Sequence, residues 1–562
     1  MRAGRAETFW WVLPFAALII LTLVQLSRGV YFHMFLHDMF VPLEGVQHLR
    51  HGQLPHRDFM TPIGPLYYFI HFLPTLIAAP SASTLVYANL LLASVVALLT
   101  LIYGRRRLPL WVASLAGLYL ALVASSPRQI GEPFPIITYN AAYNRFSWAL
   151  IGVLALIAAC PVTRDTPEER RRSDISDGAV VGALLTALFL IKLTYFGAAL
   201  VLLGVVLVTT RRLLDWRFPA AVAAVLVAVL AVLEATTGLV HLYLGDVAMA
   251  AEVSSDPFRL SFAVRLLLFS AGGAVAVLVV GVLGEWDECR YRFWPARTLL
   301  GLATVLAGVA IGIQNHPEFE NPLLPIAVLI AGFPGLWAIA GGATAAAAAP
   351  QRVPSPGNRA GEARRGLGLA CAAGFLGLAA VPAAQDSAAS LWTVYAQRGS
   401  APATAWLAGT NFTDLTPAAA PSAPPQAAPP TYNLVSDIEL VRVIGEAAAL
   451  LRQHLRGRDD AVVLPMTFSN PYPVMLGLPP VPHELAWWHL DRSFTRSVKP
   501  DGDLLFAGVD YVLVPKRYHN YVTVLAMRQA YAPQLTRDFR EVGQSANWTL
   551  LARRNCQVRA LC

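Results

Sequence analysis

The sequence predicts an α-helical polytopic membrane protein of about eleven transmembrane helices, carrying a small C-terminal α/β domain. Three observations lead there. Apolar runs of spanning length recur up to residue 384, arginine is unevenly shared among the segments joining them, and the composition changes after 384. The chain has 562 residues, 56% hydrophobic and 14% charged. Soluble domains carry roughly a quarter charged residues, so an ordinary soluble enzyme is excluded. The net charge of +8 comes from arginine, since only Lys192, Lys499 and Lys516 are lysines. Nucleic-acid binding would gather that excess into one patch beside aromatics. Here it is scattered between apolar runs, as in membrane loops, and no nucleic-acid partner is expected.

The apolar runs lie near 9–26, 84–103, 108–125, 147–161, 178–192, 196–210, 218–236, 262–284, 298–314, 323–341 and 367–384. The first follows Arg2 and Arg5, is longer than a signal-peptide core and lacks a small-x-small cleavage site, which reads as a retained anchor. The N-terminus and the segments 105–107, 162–177, 211–217, 285–297 and 342–366 hold 19 arginines, whereas the alternate segments hold six. That asymmetry puts the first set, with the N-terminus, in the cytoplasm. Residues 63–79 are apolar enough to cross, but a crossing would invert every later loop. They therefore read as a juxtamembrane helix at the outer boundary, suited by His71, Pro74 and the Tyr67–Tyr68 pair, the alternative being a twelfth span with the parity corrected elsewhere. The transmembrane domain is 1–384, with 27–62 as its longest outer loop.

Residues 385–430 are rich in Ala and Pro and read as a linker. Residues 431–562 read as an extracytoplasmic α/β domain. Ser436 and Glu439 form a capping box ahead of a helical pattern at 436–456, strand-like runs fall at 461–464, 511–514 and 548–551, and an amphipathic stretch lies at 519–531. The five cysteines show no metal-ligand spacing, and Cys556 and Cys562 can pair if that end meets an oxidising compartment. The Ala-, Arg- and Leu-rich, Lys-poor composition suggests a bacterial inner membrane.

Three polar clusters share the outer face. The loop 27–62 carries His33, His37, Asp38, Glu44, His48, Arg50, His51, His56, Arg57 and Asp58 among aromatic and turn residues. It reads either as a folded lid over the membrane or as an interfacial loop meeting headgroups. Lys192 ends an apolar run in a chain that otherwise chooses Arg. A compact ammonium approaching a phosphate explains the choice more sharply than a snorkelling anchor. YNAAYNR at 139–145 offers Tyr139, Asn140, Tyr143 and Asn144 for hydroxyls or phosphate and Arg145 for an anion, or else interfacial anchors. In the loop 314–321, His316, Glu318 and Glu320 are weaker candidates. Trp487 and Trp488 are suited to stacking on sugar faces or to core packing.

These residues resemble the GT-C superfamily of glycosyltransferases, which take sugars from polyprenyl-phosphate carriers at the outer side of the membrane. Aminoarabinose- and mannosyltransferase-like members are the nearest in pattern. The resemblance covers roughly residues 5–340. It rests on Asp38 early in the first outer loop, LEGVQHLRHGQLPHRDF at 43–59, PIGPLYY at 62–68, Lys192 and the segment ending at Arg145. GQLPHRDF at 52–59 fits the family form Gly-x-x-Pro-x-x-Asp-Phe. Where members often have two adjacent acids, this chain has His37, Asp38 and Met39, so metal binding by an acid pair is not carried over.

The resemblance implies inverting transfer from a polyprenyl-phosphate sugar to a glycan, glycolipid or protein acceptor. Asp38 would be the general base, with Lys192, Arg57 and Arg145 on the donor phosphate. Asp58, Tyr139, Asn140, Asn144, His37 and His56 would bind sugar or acceptor, and Glu44 would be structural. No cofactor is required, and a divalent metal is optional. The alternatives are a lipid-linked saccharide flippase, which would show charged or broken midplane helices, and a non-catalytic envelope-assembly scaffold.

Overall fold

The computed structural model describes residues 2–132, 134–160, 162, 166–210, 216–253, 260–284, 296–314, 320–333, 359–397, 405–418, 434–455 and 457–554. In chain order, α1 (Arg2–Leu26) leads through β1 (Val30–Phe32) to α2 (Leu36–Arg50) and α3 (Pro65–Phe72). The bundle continues with α4 (Ser83–Gly104), α5 (Leu110–Ser125), α6 (Ala142–Ala159), α7 (Pro167–Ile191), α8 (Leu193–Thr209), α9 (Arg217–Thr237) and α10 (Leu239–Val253). Then come α11 (Leu260–Gly284), α12 (Ala296–Gln314), α13 (Leu324–Ala331), α14 (Arg359–Ala379) and α15 (Val381–Ala396). The C-terminal region holds β2 (Leu415–Pro417), α16 (Asp437–Leu455), β3 (Val463–Pro465), α17 (Tyr472–Leu476) and α18 (Gly502–Phe506). It ends with β4 (Tyr511–Pro515), α19 (Tyr521–Ala530), α20 (Ala532–Asp538), β5 (Phe539–Gln544) and β6 (Trp548–Arg553).

Each expected apolar run falls on a helix. Among the described residues, eight helical stretches are long and apolar enough to cross a bilayer, while α5 and α8 are shorter apolar helices. Their outer faces stay apolar and uncovered, with Leu23 64%, Leu268 70% and Phe269 68% exposed, as lipid contact requires. The protein is a helical multi-pass membrane protein. Helix α3 has eight residues and runs on into a single 3₁₀ turn at Leu73–Leu76. At 1.5 Å per residue it covers about 12 Å, far short of a span.

In the C-terminal region the sheet order is β3-β4-β6-β5, with β3 parallel to β4 and the other pairs antiparallel. Helix α16 lays Leu440, Val441, Ile444, Ala447 and Leu451 inward at helical spacing. Trp548 Nε1 of β6 donates to the Val443 carbonyl at 2.7 Å. Ser436 Oγ accepts from the Glu439 amide at 3.2 Å, the cap that the sequence signalled. Strand β5 carries only Phe539 and Val542 as large apolar residues and gave no strand signal.

Two boundaries differ from expectation. Residues 385–396 belong to α15 rather than to a linker, and β2 pairs in parallel with β1, Val30 opposite Leu415 and Phe32 opposite Pro417. Residues 419–430 and the pair Cys556 and Cys562 lie outside the described residues. Helix α2 is also not an interfacial helix with its charges among headgroups. Thirteen of its 15 residues are buried. It is sandwiched between α3 and the C-terminal region, and one core unites its Leu36, Met39, Phe40 and Leu43 with Val441 and Ile444 of α16. A Cβ on Gly45 would meet Tyr68 Cδ1 at 2.0 Å, so only glycine permits this approach of α2 to α3.

Candidate active site

Asp38 sits in the first turn of α2, which Phe35 enters in the left-handed conformation at φ 59°. A helix N-terminus ordinarily favours a carboxylate. Here burial dominates, and with the neighbouring Asp437 carboxylate it pushes the Asp38 carboxyl up to about 8, Arg492 opposing. Its side chain keeps 16% exposure, a narrow opening rather than a sealed pocket. His37 Nε2 lies 3.5 Å from Asp38 Oδ2. The His37 ring is buried against Phe468 at 4.3 Å and His519 at 4.6 Å between ring centres. Burial, together with His519 and His489, holds His37 well below the ordinary imidazole range, so it is neutral.

Lys192 is the single extended residue between α7 and α8, at φ −160° and ψ 117°. Its Nζ donates to Asn144 Oδ1 at 2.9 Å, 4.8 Å from the Tyr143 ring centre and 5.6 Å from that of Tyr195. A partly exposed ammonium over aromatic faces gains about 0.5–1 kcal/mol, and the two rings hold it at this junction. The Gly64 amide donates to the Ile191 carbonyl at 3.0 Å, which brings the start of α3 against the end of α7. Tyr67 of α3 then packs edge-on to Tyr143 at 5.4 Å. Its hydroxyl is held far above the ordinary phenol range by burial, by Tyr143 and Tyr68, and by the charge of Asp38. Tyr67, Tyr143 and Lys192 thus form one chain of neighbours drawn from α3, α6 and the α7–α8 junction, and the charge of Asp38 on α2 acts on its Tyr67 end.

Other expected residues lie elsewhere. The Arg145 guanidinium is buried, donating to Asp386 Oδ2 at 2.6 Å and to the Val123 and Arg128 carbonyls. Arg128 donates to the other Asp386 oxygen at 2.6 Å. Arg145, expected on the donor phosphate, is in this structure turned inward onto Asp386 and those carbonyls, which is the placement of a scaffold residue. Tyr139, expected at sugar or acceptor, is packed into the core shared by α2 and α16 and is corrected likewise. Asn140 Nδ2 reaches Gln129 Oε1 at 3.3 Å within its own loop. His56 is buried, with Nδ1 2.8 Å from Asp246 Oδ2 of α10 and a backbone at φ 67°. Arg57 is exposed and pairs with Asp58 at 2.7 Å, while Asp58 also accepts from the Leu54 amide and closes the turn. Of the loop 314–321, residues 315–319, and with them His316 and Glu318, lie outside the described residues. Glu320 stands near Asp386, Arg145 and Arg128. Trp488 is core, whereas Trp487 is partly buried beside Phe468 and His489, near His37.

The residues that sequence reading missed come from the C-terminal region. Asp437 Oδ1 caps α2 by accepting from the Leu36 amide at 3.0 Å. With His37 and His519 it forms a set of three donors whose atoms lie within 4.8 Å of one another. The Nδ1 atoms of His37 and His519 are buried with no hydrogen-bond partner. Two imidazoles and a carboxylate fit a divalent cation, the group that the sequence left optional. Such an ion would supply positive charge beside Asp38. Only the capping box in front of Asp437 marked this region in the sequence.

No protein-family model matches the chain, and no curated protein matches it. Among solved structures it is similar to ArnT from Cupriavidus metallidurans bound to undecaprenyl phosphate, at 12% identity and TM-score 0.48, over 97% of this chain and 98% of that one. The apo state of the same protein gives 14% identity and TM-score 0.46, with the same coverage. The archaeal oligosaccharyltransferase AglB from Archaeoglobus fulgidus, in complex with an inhibitory peptide and a dolichol-phosphate, gives 10% identity and TM-score 0.37, over 99% of this chain and 75% of that one. All three TM-scores lie below 0.5, so the chemistry assigned to this chain rests on its own residues.

Proposed function

We propose that the chain is an inverting membrane glycosyltransferase, moving a sugar from a polyprenyl-phosphate donor to a glycan, glycolipid or protein acceptor at the outer face of the cytoplasmic membrane. The observation that carries this reading is the Tyr67–Tyr143 ring pair, which lies against Lys192 and whose Tyr67 hydroxyl is acted on by the charge of the buried Asp38. An acceptor hydroxyl is a weak nucleophile. Asp38 takes its proton as the oxygen attacks the anomeric carbon, and a carboxyl raised to about 8 is a stronger base than an ordinary aspartate once ionised. The bond from that carbon to the phosphate oxygen breaks on the opposite side, and its electron pair leaves with the phosphate. Lys192, positioned by Asn144, stabilises that growing charge. His37 orients Asp38, and Trp487 offers an aromatic face to the sugar. Arg57, exposed at the edge of the loop, is a second cation for the phosphate.

The test is sugar transfer in proteoliposomes supplied with polyprenyl-phosphate sugars. The Asp38→Asn variant is expected to insert and fold yet transfer no sugar above background. Near-normal turnover by that variant removes the mechanism. Mass spectrometry of envelope glycans with and without the protein identifies the sugar and the acceptor.

A further inference from the structure

A second set of ionisable groups lies deeper under α2 and has no part in the proposed transfer. Glu44 and His48 stand one helical turn apart on α2 and face the same side. Glu484 meets them from the C-terminal region, on a segment laced to the outer loop. The Met60 amide donates to the Glu484 carbonyl at 2.8 Å, and the Ala486 amide donates to the Met60 carbonyl at 3.0 Å. All three side chains belong to residues with 0% exposure.

Their polar atoms are mostly acceptors aimed at one another. His48 Nδ1 is 2.5 Å from Gln53 Oε1, an acceptor, so that nitrogen carries the proton. Nε2 is then the atom that faces Glu484 Oε1, 3.1 Å away, with a lone pair to offer wherever it carries no proton. Glu44 Oε2 accepts from the Asn470 amide at 2.8 Å, but Glu44 Oε1 is buried with no partner. Among the described residues, no Lys or Arg forms an ion pair with either carboxylate. Burial and the facing Glu484 hold the Glu44 carboxyl well above the ordinary range. Two carboxylates and a lone pair converging in a dry interior require a positive charge between them, or a proton. One ligating atom from each of the three lies within 4.8 Å of the others. The ring is stacked on Phe59 at 4.1 Å, and Gln53 fixes its tautomer as outer-shell partners of metal-bound histidines do.

We propose that Glu44, His48 and Glu484 hold a structural divalent transition-metal ion that pins α2 to the C-terminal region. One dication neutralises both carboxylates, and a donor set of one imidazole nitrogen and two carboxylate oxygens suits Zn²⁺ or Mn²⁺. The site is separate from the His37, Asp437 and His519 set and independent of the transfer reaction.

The experiment uses the full chain in detergent, dialysed against metal-free buffer and measured by elemental mass spectrometry. It is then stripped with a chelator and re-supplied with Zn²⁺ or Mn²⁺ while Tm is followed. One equivalent of the metal held by the wild type, as prepared or after re-supply, is expected to be lost in Glu484→Gln and retained in His519→Ala, whatever a second ion at the His37, Asp437 and His519 set adds. Stripping is expected to lower Tm, and the bound ion to restore it. A wild type that takes up neither ion overturns the proposal, as does a Glu484→Gln protein that keeps the full equivalent. A metal-free wild type whose Tm is matched or exceeded by Glu44→Gln identifies a shared proton instead and also overturns it.

Discussion

Two buried charge clusters are built on opposite principles. Around Asp386 each carboxylate oxygen receives an arginine, Arg128 and Arg145 both at 2.6 Å, and backbone carbonyls take further guanidinium protons. Around Asp38 the neighbours are another acid, Asp437, and neutral His37, with the arginine that opposes them, Arg492, on the exposed surface. Glu320 stands near as a second acid for the two guanidinium groups, and the cluster so matched holds α6, the loop before it and α15 together. The mismatched cluster keeps a carboxyl whose charge the protein does not welcome, so a substrate proton or a passing cation changes its energy sharply. Matching marks scaffold, and mismatch marks a site.

Substitutions on either side can break or sharpen that contrast. The largest effect is expected for Asp38→Asn, a fall in kcat of about 10²–10⁴-fold, the usual contribution of a general base. Its Tm should hold or rise, because a buried acid beside Asp437 is replaced by a neutral amide. Asp386→Asn should behave inversely. It strands two buried guanidinium groups at a cost of about 3–5 kcal/mol, read as a large drop in Tm and in folded yield. Should Asp386→Asn prove stable while Asp38→Asn unfolds, the two clusters have been assigned the wrong way round.

Lys192→Met tests the cation arm. The loss of one charge-assisted contact of about 1.5–3 kcal/mol predicts roughly ten- to hundredfold weaker use of the donor, with Tm little changed. The pH profile is subtler. A base with its pKa at about 8 is protonated below that value, so kcat/KM should climb about tenfold per pH unit toward pH 8 and level above it. Because Arg492 opposes the upward shift, Arg492→Ala should move that limb to higher pH. A flat profile between pH 6 and 8 would show that Asp38 is not the titrating base. The smallest effect is expected for Arg57→Ala, whose exposed pair with Asp58 adds little to stability, visible only as a modest rise in donor KM.

Lys192 stood out in the sequence as a rare lysine among arginines, whereas Asp38, one of many titratable residues in its loop, stood out only through the family resemblance. The bundle was legible because spanning runs and arginine asymmetry are local signals. Arg145 was not, because its partner Asp386 lies 241 positions away in a stretch that read as linker. Local Ala and Pro content there outweighed the register that makes α15 a helix. Tyr139 misled for a related cause, since a tyrosine beside Asn and Arg looks polar until a distant helix covers it. The partners of His37 and Glu44 come from residues 437, 519 and 484, and nothing near either residue foretells contacts made across the whole length of the chain. Periodicity finds helices, but it does not find which faces meet.

The parallel pairing of β1 with β2 carries a consequence for biosynthesis. Residues 30–32 leave the ribosome well before 415–417, with which they pair, and Asp38 waits longer still for Asp437 and Arg492, the neighbours that set its acidity. In a nascent chain with its early helices inserted, Asp38 therefore keeps an environment unlike the one it has after residues 437 and 492 have joined α2.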